Sequence, residues 1–197
     1  DWLHAFEDAE EVFCVTITSG LSGSYNAACA AKELYESEHP GRRVCVIDSL
    51  SAGPELELIL EKLADFVAQD MPYEEICLQI GQYQKQTGLL FMLKSLKNFA
   101  ANGRVSPAVA KIAGVLGIHI VGKASDHGTL EPLSKNRGEG KALPAILEFL
   151  EKDGFSGGKV RISHCLNTEA AQKLKQLICD LFPCADVRIR SCLGLCS

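Results

Sequence analysis

The chain has 197 residues, of which 47% are hydrophobic and 23% charged, with a formal net charge of −5. That is room for one large or two small domains with an ordinary globular balance. No block of Lys and Arg stands out, which argues against nucleic acid or an anionic membrane surface as the main partner. No run of about 18 apolar residues is present to serve as a transmembrane helix.

The acidic start, Asp1 to Asp8, lacks a signal-peptide pattern. Trp2 to Ala9 reads as a short helix already under way, so a fragment of a longer protein is expected. Val12 to Ile17 is a short, β-branched apolar run, the pattern of a strand buried on both faces. Thr18 to Ser24 is a turn of small hydroxyl residues and glycine, and the Ala-rich stretch from about Ser22 to Ser37 reads as a helix. Pro40-Gly41 turns the chain into a second buried strand, Arg43 to Asp48. A second polar turn, Asp48 to Gly53, leads into a helix over about Pro54 to Gln69, with Leu56, Ile59, Leu60, Leu63 and Val67 at helical spacing. This βαβα order predicts a parallel sheet, with both polar turns at its carboxyl edge, where open α/β sheets bind ligands.

Met71-Pro72-Tyr73 interrupts the pattern, and Glu74 to Thr87 reads as a helix. The expected division is a parallel α/β domain over 1–84 and an α+β domain over 85–197. In the second part Leu89 to Leu93 is a buried strand, and Ser95 to Asn102 a helix closed by Gly103. A strongly apolar helix follows, with Ser106 as N-cap, Pro107 at its first position, and Ile112, Val115 and Leu116 on its length. Ile118 to Lys123 is a strand, Asp126-His127-Gly128 a hairpin turn, and Thr129 to Leu133 an edge strand that tolerates Pro132. Asn136 to Lys141 reads as a polar loop before a helix over Ala142 to Glu151. Lys159 to His164, Thr168 to Phe182 and Ala185 to Ile189 close the chain as strand, helix and strand. The fold class is α/β in two parts, the second containing a hairpin.

The nine cysteines are odd in number, contain no CxxC pair and show no disulfide framework. Most read as reduced, buried small hydrophobes of a cytoplasmic protein. Cys192, Cys196 and His164 are the weak candidates for a zinc site, and no metal or other cofactor is expected.

The chemistry concentrates in the first turn, where Ser19, Ser22 and Ser24 stand with Gly20 and Gly23. A strand feeding a helix through such a turn offers backbone N–H groups and hydroxyls to a carboxylate or phosphate. A plain Ser N-cap is the competing reading, but one cap needs only one hydroxyl. Ser19 or Ser22 as a nucleophile would need a base and an orienting acid, and none of the five histidines falls in a triad pattern. The turn is not a G-x-S-x-G elbow, and no lysine follows Gly23 as a Walker loop requires. Asp48-Ser49 suits either a capped helix start or a polar ligand. Arg104, Arg137 and Lys141 are cations that suit an anionic partner or a solvated surface.

Six stretches in order resemble the DegV family, the bacterial fatty-acid-binding proteins also called FakB. They are T-S-G-L-S-G-S-Y-N-A at Thr18 to Ala27, V-I-D-S-L-S-A at Val46 to Ala52 and T-G-L-L-F-M-L-K-S-L at Thr87 to Leu96. N-G-R-V-S-P-A at Asn102 to Ala108, I-H-I-V-G-K at Ile118 to Lys123 and K-N-R-G-E-G-K-A at Lys135 to Ala142 continue the match. The resemblance implies two α/β domains enclosing a long-chain fatty acid, and a non-enzymatic carrier. It also implies a separate ATP-dependent fatty acid kinase that phosphorylates the bound acid for phospholipid synthesis. By motif match Ser19 is the carboxylate-binding serine, with Ser22, Gly20 and Gly23 in the same turn. Ile112, Val115 and Leu116 are expected in the pocket wall, and Arg104, Arg137 and Lys141 toward the kinase. The family's opening D-S-T or D-S-A strand, its T-S-Q-P-like segment and its glycine-rich C-terminal segment do not occur here, so truncation at both ends is expected. An enzyme of phosphoryl or acyl transfer using the same turn is the alternative.

Overall fold

A computed structural model of the chain describes residues 2–7, 9–105, 109 and 117–192. It divides into two compact units, one of Asp1–Gly88 with Asp126–Thr129, the other of Leu89–Ser125 and Leu130–Ser197.

In the first unit β1 (Glu11–Thr16) and β2 (Arg43–Asp48) pair in parallel, from Glu11 opposite Arg43 to Thr16 opposite Asp48. Their unbroken apolar runs follow from burial on both faces. Phe13, Val15, Cys45 and Ile47 pack with α3 (Pro54–Ala68) and α4 (Tyr73–Gln84), where Ile59, Leu63, Phe66, Ile76 and Ile80 are buried. Val12, Cys14, Val44 and Val46 pack with α1 (Trp2–Phe6) and α2 (Ser24–Glu38), through Phe6, Ala28 and Tyr35. The alternation along each strand therefore sends successive side chains into two separate cores. Tyr35 is fixed by its hydroxyl, which donates to the Ala9 carbonyl at 2.8 Å. Pro54 starts α3 at its first position, where no N–H is missed, with Glu55 and Glu57 in the first turn. At the other end of the sheet, Arg43 bridges Glu11 and Glu74 and lies over the Tyr73 ring at 4.2 Å.

In the second unit β3 (Leu90–Leu93), β4 (Ile118–Ala124) and β5 (Leu130–Arg137) form an antiparallel sheet in that order. The register of β4 with β5 shifts between Val121 and Gly122, with Gly122 opposite Pro132. Pro132 thus sits on an edge strand at a bulge, where its missing donor costs least. Gly122 is required by packing: a Cβ there would lie 2.4 Å from the Phe91 ring and 2.5 Å from the Glu131 carbonyl oxygen. The short α5 (Lys97–Ala101) contributes Phe99 and Ala100 to a small core with Leu96 and Ile120. The helix α6 (Glu139–Lys152) buries Ala142, Leu143, Ala145 and Ile146 against Val121 and Ala170. The strands β6 (Gly158–His164) and β7 (Ala185–Ser191) pair in parallel around α7 (Thr168–Leu181), over Ile162, Ala171, Ile178 and Val187. Arg161, buried in β6, is paired with Asp186, whose Oδ2 lies 3.1 Å from Nη2.

The two-part α/β architecture with a hairpin in the second sheet agrees with the sequence reading. The polar loop expected over Asn136 to Lys141 does not exist. β5 runs on to Arg137, which pairs opposite Ile118, and α6 begins at Glu139 directly after Gly138 at φ 80°. An edge strand needs a partner's ladder more than it needs apolar residues, so the run Ser134 to Arg137 pairs although it is wholly polar. The cysteines are less buried than the sequence reading expects: Cys165 lies exposed just beyond the end of β6, and of the eight described cysteines only Cys14 is buried. The apolar helix expected from Ser106 to Leu116 lies outside the described residues apart from Val109, which is helical. No helix among the described residues is long and apolar enough to cross a membrane.

Candidate functional site

β1 ends at Thr16, and the turn that follows is built around the buried Thr18. The Thr18 amide donates to the Ser51 carbonyl at 2.8 Å, which ties the first polar turn to the second. The Thr18 hydroxyl oxygen accepts from the Gly20 amide at 3.1 Å, and its carbonyl accepts from the Leu21 and Ser22 amides, both at 3.2 Å. Between these, the Ser19 amide donates to both carboxylate oxygens of Asp48, at 3.1 and 3.3 Å. The amides of the turn that the sequence offers to an anion are therefore largely spent on the turn itself.

The serines divide the same way. The Ser22 and Ser24 hydroxyls lie 2.9 Å apart, and Ser22 Oγ accepts the Ser24 amide at 3.2 Å. No side chain caps α2, whose N-cap is Gly23. Ser19 is exposed, and its hydroxyl makes no hydrogen bond among the described residues. Of Ser19, Ser22, Gly20 and Gly23, it is Ser19 whose hydroxyl is unengaged among the described residues, while that of Ser22 is held against Ser24.

The second turn is equally self-contained. Asp48 Oδ1 accepts the Leu50 amide at 3.0 Å, which supports Leu50 in the left-handed region at φ 52°. Ser49 Oγ donates to the Ser51 carbonyl at 3.0 Å and accepts the Ser51 amide at 3.1 Å. From α4, Gln84 Nε2 donates to the Asp48 carbonyl at 2.8 Å. Asp48 and Ser49 thus neither cap α3 nor stand free for a ligand; Asp48 locks one turn to the other and Ser49 closes the second turn on itself. Ile17 and Leu50, each 41% exposed, place apolar side chains beside the two turns in sequence.

The hairpin tip, which belongs to the same unit, was not legible as part of this site. Gly128, at φ 68°, comes so close that a Cβ would lie 1.9 Å from Thr18 Oγ1 and 3.0 Å from the Leu50 Cα. The His127 and Gly128 carbonyl oxygens would lie 2.8 and 3.2 Å from a Cβ at Gly20. The only signal in the sequence is Gly128 in the tight turn Asp126-His127-Gly128, which reads as a hairpin connection.

The remaining candidates lie in the second unit. Arg104 follows α5, its amide on the Phe99 carbonyl at 2.8 Å and its side chain exposed. Arg137 is the last residue of β5 and Lys141 stands in the first turn of α6, both exposed. Ile112, Val115 and Leu116 lie outside the described residues. A second polar cluster surrounds Glu139, which accepts from Asn167 Nδ2 at 2.8 Å and pairs with Lys94 at 3.2 Å. Those two partners hold its carboxyl below the usual carboxylate range. Buried His119 brings Nε2 to 3.9 Å of the same carboxylate. No group of three metal-ligating side chains occurs among the described residues. Of the expected zinc set, His164 accepts the Asn167 amide on Nδ1 at 3.2 Å, and Cys196 lies outside the described residues.

A nucleophilic reading of Ser19 lacks its base, since no described imidazole or carboxylate hydrogen-bonds to Oγ. What the turn can do is donate one hydroxyl, from a rigid frame, to an oxygen of a bound group.

The family model described as "Uncharacterised protein, DegV family" matches residues 1–194. A DegV domain-containing protein of Streptococcus pneumoniae is 45% identical over 197 residues, all of this chain and 70% of that relative's length. Among solved structures, a DegV family protein from Eubacterium eligens loaded with heptadecanoic acid superposes with a TM-score of 0.95. It is 46% identical over all of this chain and 71% of that one. The Streptococcus pneumoniae Fatty Acid Kinase (Fak) B3 protein loaded with linoleic acid also gives 0.95, at 44% identity over all of this chain and 70% of that one. With the family model matching residues 1–194 and relatives at this identity over its whole length, the chain belongs to the DegV family.

Proposed function

We propose that the chain is a carrier that binds a long-chain fatty acid in an apolar cleft and presents its carboxyl group to an ATP-dependent fatty acid kinase. One observation carries the reading: two solved relatives at 44–46% identity and a TM-score of 0.95 hold heptadecanoic and linoleic acid. The chemistry agrees. Each buried methylene contributes roughly 0.8 kcal/mol, so a long acyl chain supplies ample affinity. A carboxylate entering an apolar cleft is costly unless donors meet it, and the Ser19 hydroxyl is an exposed donor that the turn does not use. Ser22, Gly20 and Gly23 shape the turn in this reading, and Ile112, Val115 and Leu116 line the acyl chain. Arg104, Arg137 and Lys141 serve the kinase, whose nucleotide and acyl phosphate product are anionic. The carrier performs no phosphoryl transfer itself and acts in the cytoplasm, in the supply of acyl phosphate for phospholipid synthesis.

The test has two steps. Lipid extracted from the purified protein under denaturing conditions and identified by mass spectrometry should contain a long-chain fatty acid. Ser19→Ala should then weaken fatty-acid binding by about 1–3 kcal/mol, because a buried carboxylate oxygen loses its donor. Failure to bind any fatty acid refutes the carrier reading, and unchanged affinity of the variant refutes the role of Ser19.

A further inference from the structure

We infer that Gly128, at the tip of the β4–β5 hairpin, is a positioning residue that sets the Ser19 hydroxyl by bearing on Thr18; this rests on the fatty-acid reading of the turn. Thr18 is the hub of the turn. The Gly20, Leu21 and Ser22 amides all donate to it, and its own amide is fixed to the Ser51 carbonyl. Any shift of Thr18 therefore moves Ser19, the next residue. The hairpin tip presses on this hub with backbone alone. A Cβ at Gly128 would stand 1.9 Å from Thr18 Oγ1, 2.9 Å from Thr18 Cβ and 3.0 Å from the Leu50 Cα. Thr18 is 1% exposed and has nowhere to retreat. Gly128 is also at φ 68°, which glycine adopts without strain.

The contact is two-sided. The Cα of Gly20 faces the His127 and Gly128 carbonyls so closely that a Cβ there would lie 2.8 Å from the first and 3.2 Å from the second. Gly20 does not have a positive φ, so its lack of a side chain answers to the hairpin tip and not to its own backbone. Two glycines far apart in the chain thus meet across one seam, and the seam lies on either side of Ser19. A carboxylate is recognised through a directional, charge-assisted hydrogen bond, so a displaced hydroxyl penalises the acid more than a neutral head group.

Full-length Gly128→Ala and, separately, Gly20→Ala are titrated with oleic acid and with methyl oleate by displacement of cis-parinaric acid. Oleic acid should bind Gly128→Ala at least about tenfold more weakly, and Gly20→Ala at least about threefold more weakly. Methyl oleate affinity should change by less than about twofold in either. A collapse of the acid-over-ester preference is the signature of a displaced donor, which a loss of general stability does not produce. Equal weakening for acid and ester in both variants overturns the inference, as does wild-type acid affinity in both. Should Gly128→Ala fail to fold, Gly20→Ala, free of backbone strain, decides alone. Failure of the unaltered protein to bind oleic acid overturns the carrier reading and this inference with it; normal binding by the unaltered protein with unaltered variants overturns this inference alone.

Discussion

Replacing Asp48 with alanine removes the acceptor that joins the two polar turns. Its carboxylate takes the Ser19 amide at 3.1 and 3.3 Å and the Leu50 amide at 3.0 Å. Hydrogen bonds to a charged group are worth about 1.5–3 kcal/mol each when water cannot replace them. Ser19 and Leu50 are both exposed, so water recovers part of that, and about 1 kcal/mol per amide remains. The Gln84 contact is to the Asp48 carbonyl and survives the substitution. The local loss is thus about 2 kcal/mol, which corresponds to roughly thirtyfold faster opening of the turn. Native-state hydrogen exchange reads this directly: the Ser19 and Leu50 amides should exchange about thirtyfold faster in Asp48→Ala. Asp48→Asn keeps a neutral acceptor and should give about half the effect in free energy. The Val44 amide, which donates to Glu36 at 2.8 Å, is the internal control and should not change. Wild-type exchange at Ser19 and Leu50 in Asp48→Ala would refute the claim that this carboxylate locks the turns.

Three further outcomes are expected. Glu139 has its carboxyl held below the usual range by Asn167 and Lys94, so its contribution to stability is present above the unfolded value of about 4.3 and is lost as pH falls through the folded one. With its side chain one-third exposed, Glu139→Gln should lose about 0.5 kcal/mol at pH 7 by urea unfolding, and the loss should shrink as the pH is lowered below the usual carboxylate range; an equal gap at every pH contradicts the pairing. Burial pushes the Cys45 thiol up to about 12, with help from Cys77, and the Cys14 thiol to about 11. At pH 8 iodoacetamide should therefore label the exposed Cys165 and Cys184 first, with Cys45 slower by roughly a thousandfold or more, and peptide mass mapping that finds Cys45 modified as fast would show its site to be open. Arg137→Glu should slow kinase-dependent acyl phosphate formation several-fold and leave fatty-acid affinity intact; a loss of lipid binding with kinase docking unchanged would remove Arg137 from the partner surface.

Composition and periodicity determined most of the framework. The apolar runs in β1 and β2 specify burial on both faces whatever packs there, because no residue in them is polar enough to face water cheaply. The Ala-rich run of α2 and the spacing of Ile59 and Leu63 in α3 are local consequences of side-chain type, and the density of Ser and Gly after β1 singles out that turn as the candidate site. What the turn does with its hydrogen bonds was decided by residues remote in the chain. The Ser19 amide goes to Asp48 in the turn after the neighbouring strand, and Gly128 comes to rest against Thr18 from the tip of a hairpin. Neither pairing has a local cause: both arise because parallel strands bring successive βα turns to one edge and because a glycine with no Cβ allows two backbones to touch. The polar end of β5 belongs with them, since Lys135, Asn136 and Arg137 have no apolar pattern to announce a strand. They pair because β4 offers an open ladder up to Ile118, and an unpaired backbone donor or acceptor at a sheet edge gains more from such a partner than from any side-chain preference of its own.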